Sequence, residues 1–165
     1  MGIFDFFKSG KPKTDCLNPA SSSSAPARPA GVADTPLNAE FTPDYITTLG
    51  PNDIFVFGSN LAGAHAGGAA HIAHKRFGAI WGQGEGLQGN TYAIPTMQGG
   101  VNTIRPYVNT FIEFAGRHPE LTFYVTRIGC GIAGFTTAQI APLFIQALSL
   151  PNVILPRDFA TLLKS

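Results

Sequence analysis

Two stretches of this chain combine residue types that can hold an anion. In residues 53–76 a short apolar run, Ile54 to Phe57, leads through Gly58, Ser59 and Asn60 into a loop with Gly63, Gly67 and Gly68. An alanine-rich run follows. A strand that empties through glycines into a helix N-terminus leaves backbone N–H groups free. The helix dipole there favours negative charge, and missing side chains let a phosphate come close. The same glycines also suit a tight turn that only allows close packing. A second loop of this kind runs Gly129, Cys130, Gly131, Ile132, Ala133, Gly134, Phe135. Cys130 within it offers different chemistry. With a depressed thiol pKa and a histidine in reach it would be a nucleophile; otherwise it is a small residue lining the loop.

The elements that must carry these loops can be read from periodicity. Residues 54–57 form a short buried strand, and 67–77 a helix with Ala69, Ala70, Ala73 and Phe77 on one side. His71 and His74 fall on its other side and read as a solvated face; no Cys/His spacing elsewhere suggests a metal site. Gly82, Gly84, Gly86 and Gly89 mark a loop, and residues 92–95 a second strand ending at a proline. Residues 103–117 form the best amphipathic helix, with Ile104, Tyr107, Val108, Phe111, Ile112 and Ala115 on one face. Pro106 is tolerated there if it lies in the first turn. Residues 121–128 are the strongest strand. Thr136 with Gln139 suggests a capping box, opening a helix to about Leu148 that bends or restarts at Pro142. A strand at 152–155 and a helical turn at 159–163 close the chain, and residues 42–50 suggest a short helix or turn. This alternation predicts an α/β fold, with a parallel-rich sheet and helices on both faces. Ligands of such sheets lie beyond the carboxyl ends of the strands.

Composition narrows the function classes. The 165 residues are 44% hydrophobic but only 13% charged, with a net charge of +1. That suits strands buried on both faces and implies no nucleic-acid partner. Residues 1–36, rich in Pro, Ser and Ala, read as a disordered tail before a domain at 37–165. Within the tail, Ile3, Phe4, Phe6 and Phe7 could dock on the domain, a partner or a membrane surface. Cys16 and Cys130 give no reason to expect a structural disulfide, so a cytoplasmic setting is expected. No run is long and apolar enough to span a membrane.

Set in order, these motifs resemble a macro domain, the ADP-ribose-binding α/β module. Asp53 and Asn60 have the family's separation, Gly67-Gly68-Ala69-Ala70 stands where its helix begins, and Gly131-Ile132-Ala133-Gly134-Phe135 is similar to its Gly-x-x-Gly loop ending in an aromatic. Gly86-Leu87 and Tyr92-Ala93-Ile94-Pro95 fit its middle turn and strand. The phrases VFGSNLAG, GQGEGLQG, YAIPT and IGCGIAG look like a phage-associated bacterial family of macro-like proteins. The resemblance covers roughly residues 52–156. It departs in the first loop, where Phe57-Gly58-Ser59-Asn60 replaces two asparagines around two alanines, and in the added segment 83–86. For the family's upstream adenine-contacting aspartate, Asp44 is only a faint echo.

The resemblance implies a three-layer α/β/α sandwich with a mostly parallel, mixed central sheet. It implies a site for ADP-ribose or a related NAD-derived nucleotide, and an ADP-ribosylated protein as a substrate if the chain is an ADP-ribosyl hydrolase. No cofactor is implied. Asp53, Gly58, Ser59, Gly67 and Gly68 would line the ligand with Gly129, Cys130, Gly131, Ile132, Ala133, Gly134 and Phe135. Asn60 could bond a ribose hydroxyl or orient a water, or simply cap the loop as an Asx turn. Glu85 could serve as general base at the distal ribose, or be a solvated loop-tip charge. His65 would either meet the ligand edge or be merely exposed. Arg127 would pair with phosphate or leave the sheet edge. A non-enzymatic sensor and a Cys130-dependent hydrolase stand as alternatives.

Overall fold

The computed structural model describes residues 28–165. Five strands form one sheet: β1 (Asp53–Ser59), β2 (Gly86–Gln88), β3 (Thr91–Pro95), β4 (Thr122–Val125) and β5 (Val153–Ile154). Their order is β2-β3-β1-β4-β5, with only the β2–β3 pairing antiparallel. The helices are α1 (Gly68–Arg76), α2 (Val101–Arg117), α3 (Thr137–Ile140) and α4 (Arg157–Lys164), with a 3-10 segment at Ala141–Ser149. The fold is α/β, a mostly parallel but mixed sheet between two helical layers.

Alternation along β1 explains the layers. Ile54 and Val56 point to one face, where they join Ile104, Val108, Phe111 and Phe144. Phe55 and Phe57 point to the other, against Ala70, Ala73 and Phe77 of α1 and against Ile46 and Leu49. Both faces of the central strand are therefore buried, as its unbroken apolar run requires. From β1 the chain runs out through α1 to β3. It returns through α2 to β4 on the other side of β1, so the strand order reverses at β1.

Several elements differ from the sequence reading. β2 lies inside the glycine-rich stretch expected to be loop. Residues 42–50 form no helix. Thr42 instead pairs beyond β5, its N–H and hydroxyl donating to Leu155 and Ile154 carbonyls at 2.9 and 2.8 Å. Helix α2 begins two residues early, so Pro106 falls in its second turn and removes the bond that the Asn102 carbonyl would accept. Strand β4 stops at Val125. Beyond it the Ile128 N–H turns back to the Thr126 carbonyl at 2.7 Å, and the chain swings out past the sheet. The helix expected to restart at Pro142 continues instead as 3-10.

Residues 28–36, read as tail, carry domain contacts. The Gly31 N–H donates to the Arg76 carbonyl at 2.8 Å, and Ala33 and Leu49 are joined by backbone bonding at 2.7 Å. Residues 1–27, including Ile3 to Phe7 and Cys16, lie outside the described residues. Among the described residues no helix is long and apolar enough to cross a membrane.

Candidate functional site

Where strands β1, β3 and β4 end, a cleft of about 690 Å³ opens. Its floor is Gly58 and Ser59 of β1, Thr96 and Met97 after β3, and Thr126 to Gly129 after β4. A Cβ on Gly58 would stand 3.2 Å from the Thr96 hydroxyl and 3.4 Å from the Gly129 nitrogen, so the three strand ends meet closely there. One wall is the first turn of α1. Gly67 precedes it in extended conformation, and no side chain caps it. The N–H groups of Gly68, Ala69 and Ala70 are thus left over at the helix start.

The opposite wall is Gly129 and residues 131–133. Among the described residues the N–H groups of Gly131, Ile132 and Ala133 have no backbone acceptor, whereas those of Cys130, Gly134 and Phe135 do. Ile132 reaches across, its Cδ1 at 3.4 Å from where a Gly67 Cβ would stand, yet it is 76% exposed. Residues whose N–H groups have no protein acceptor among the described residues therefore lie on both walls of the cleft. Such an arrangement suits an anion with several oxygens.

Of the residues singled out in the sequence, Gly58, Ser59, Asn60, Gly67, Gly68, Gly129, Gly131, Ile132 and Ala133 line the cleft together. Arg127 and Asp44 also line it, and the others lie elsewhere, each for a physical reason. Asp53 sits at the opposite end of β1 and is buried. Its Oδ2 accepts the N–H groups of Leu37 and Gly50, both at 2.7 Å, tying the N-terminal segment to the sheet. His65 is also fully buried, its ring edge against Phe57. Its Nε2 lies 2.9 and 3.1 Å from the Ile80 and Gln83 carbonyls. Two carbonyl partners require the proton on Nε2, so His65 is a pin for the loop after α1.

Glu85 is exposed and outside the cleft. Its charge acts on Tyr92, whose hydroxyl is pushed up to about 12 by burial first and by Glu85 second. The glycine-rich segment around it serves packing. A Cβ on Gly84 would collide with the Asn60 carbonyl, and one on Gly63 with the Gln83 nitrogen, so two loops stack backbone against backbone. Phe135 and Cys130 pack against the α2-side core. Gly134 has φ +80° and lies off the cleft.

Asn60 does line the cleft, but its amide also closes its own loop. Oδ1 accepts the Ala64 N–H at 3.0 Å and Nδ2 donates to the Ala64 carbonyl at 3.1 Å. Burial raises the Cys130 thiol pKa, with Asp158 adding to the effect. A nucleophilic thiol needs the opposite shift. Alkylation of Cys130 by iodoacetamide is therefore expected to be slow at neutral pH and still climbing above pH ~8.5, the ordinary thiol value. Cys130→Ser should leave ligand affinity within a factor of about two, since a similar-sized hydroxyl preserves the loop. A rate that levels off below neutral pH would reverse this reading.

The sequence reading did not place Thr42, Pro43, Tyr45, Thr96, Met97 or Thr126 at the site, and gave Asp44 only as a faint echo of an adenine-contacting aspartate. Thr96, Met97 and Thr126 directly follow strand ends, a position that carried the signal. Nothing local marks Thr42, Pro43 or Tyr45, which reach the cleft where Thr42 pairs with Pro156 beyond β5. Asp44 pairs with Arg127 at 3.4 Å, and Arg127 Nε pairs with Asp158 at 3.2 Å. The Arg127 guanidinium on the cleft is thus already flanked by two carboxylates. No protein-family model, curated protein or solved structure matches this chain.

Proposed function

We propose that the cleft binds ADP-ribose or a related NAD-derived nucleotide, with the diphosphate between the first turn of α1 and residues 129–133. One observation carries the reading: acceptor-free N–H groups on both walls of a single cleft at the point where strand order reverses. The cleft's size suits a small ligand of this kind. Its oxygens would be held by backbone amides, which explains how a chain with a net charge of +1 can bind a dianion. The ordered motifs that resemble macro domains point the same way.

Between binding and turnover, the side chains favour binding. The Asn60 amide is bonded to Ala64, Glu85 and His65 lie outside the cleft, and Asp44 is paired with Arg127. The function is then that of a sensor or interaction module for the nucleotide, free or attached to a protein. Calorimetric titration with ADP-ribose, NAD, cyclic ADP-ribose, ATP and inorganic phosphate tests it. ADP-ribose should bind, and phosphate alone at least ~100-fold more weakly, because it lacks the nucleoside contacts. An ADP-ribosylated peptide should bind without release of ADP-ribose. If no diphosphate nucleotide binds, the proposal fails; if the peptide is cleaved, the non-enzymatic reading fails.

A further inference from the structure

The charged side chains that line the cleft are Asp44 and Arg127, and they are paired with each other. Arg127 lies between two carboxylates, its Nη2 at 3.4 Å from Asp44 Oδ1 and its Nε at 3.2 Å from Asp158 Oδ2. Asp158 is itself fixed, because its carboxylate accepts the Thr137 hydroxyl and the Phe159 N–H, both at 3.1 Å. Among the described residues lining the cleft there is no other cation, so no positive side-chain charge is left over. On the reading that the cleft holds a diphosphate nucleotide, we infer that the Asp44–Arg127 pair sets its specificity. It admits NAD-derived ligands and rejects those with a further phosphate on the adenosine ribose.

Strand order places the pair at one end of the cleft. Arg127 follows β4 and Pro156, with which Thr42 pairs, follows β5, whereas Thr96 and Met97 follow β3 on the other side of β1. A diphosphate between the start of α1 and Gly131 to Ala133 thus sends one arm toward Asp44 and Arg127. The other arm goes toward uncharged Thr96 and Met97. The base belongs to the first arm. Tyr45, next to Asp44, is the only aromatic ring among the described lining residues, and at 88% exposed it offers a face for stacking. The ribose between base and diphosphate then passes the Asp44–Arg127 pair. Its hydroxyl is a donor, and a carboxylate bonded to Arg127 through Oδ1 still has lone pairs to accept it. A phosphate in the hydroxyl's place brings about two negative charges to a guanidinium that is already neutralised. The same chemistry separates NAD from NADP sites in doubly wound folds, where an acidic residue takes the 2′-hydroxyl and an arginine accommodates the 2′-phosphate.

Calorimetric titration of the native chain, Asp44→Asn and Arg127→Gln compares ADP-ribose with 2′-phospho-ADP-ribose. The native chain should bind ADP-ribose at least ~10-fold more tightly than its 2′-phosphorylated form. Asp44→Asn releases the guanidinium from one carboxylate and keeps an acceptor for the hydroxyl, so this ratio should shrink severalfold. Arg127→Gln leaves two carboxylates with no guanidinium, so the ratio should widen. Added salt should narrow the native ratio, since the repulsion acts between solvent-exposed groups. Equal affinity of the native chain for the two nucleotides would overturn the inference. So would a ratio that Asp44→Asn leaves unchanged, which would make the exclusion a matter of shape. Binding of neither nucleotide would overturn the reading of the cleft, and this inference with it.

Discussion

Gly131→Val is expected to weaken ADP-ribose binding by at least ~100-fold while leaving stability nearly unchanged. Gly131 lines the cleft, and no atom lies within 4 Å of a Cβ built on it. Its φ is outside the left-handed region, so a branched side chain strains nothing in the free protein. With a diphosphate bound, that side chain would take the space of the oxygens. Two charge-assisted N–H bonds at about 1.5–3 kcal/mol each would be lost. Gly134→Val is the contrast. Gly134 lies off the cleft with φ +80°, so the substitution should cost about 1 kcal/mol or more of stability and little affinity. Calorimetry and denaturant melts on both variants separate the two effects. Wild-type affinity in a folded Gly131→Val chain would remove residues 129–133 from the ligand site.

Asp53→Ala should destabilise the fold by about 3–5 kcal/mol, because one buried and one half-buried N–H group lose a shared carboxylate acceptor. Those donors, Leu37 and Gly50, hold the segment whose Ile46 and Leu49 cover the α1-side core. At ~2–4 °C per kcal/mol, the melting temperature should fall by roughly 10 °C. The affinity of the remaining folded protein should not change, since Asp53 is at the far end of β1 from the cleft. Urea unfolding monitored by circular dichroism gives the first quantity and titration well below the melting point gives the second. A loss of affinity with normal stability would return Asp53 to the ligand.

The contrast between Gly131 and Asp53 also shows which parts of this protein are legible in its sequence. Helix α2 stands out because its apolar spacing is long and regular, and β1 and α1 because an unbroken apolar run passes through glycines into an alanine-rich run. Following β1 and β4 to their carboxyl ends leads to the two glycine loops that line the cleft. Local pattern fails where partners are distant. Asp53 and Asn60 have the same separation as a ligand-binding pair, yet Asp53 bonds to residues 37 and 50 on the opposite side. His65 sits among small residues that suggest exposure, but the loop at 80–83 folds over it. Strand β2 is three residues, Gly86 to Gln88, too short and too glycine-flanked to show period 2. Arg127 reads as the end of a strand because nothing in TFYVTRI marks the turn at Thr126 that aims it at the cleft.

The central claim is that a diphosphate is held by the backbone amides of both cleft walls. Following 15N-labelled amide resonances during an ADP-ribose titration tests it most directly. The account predicts that the largest shifts fall on Gly68, Ala69, Ala70, Gly131, Ile132 and Ala133, moving downfield as their N–H groups gain phosphate acceptors. Resonances that stay still at both walls while saturation proceeds, or shifts centred on another surface, would contradict it.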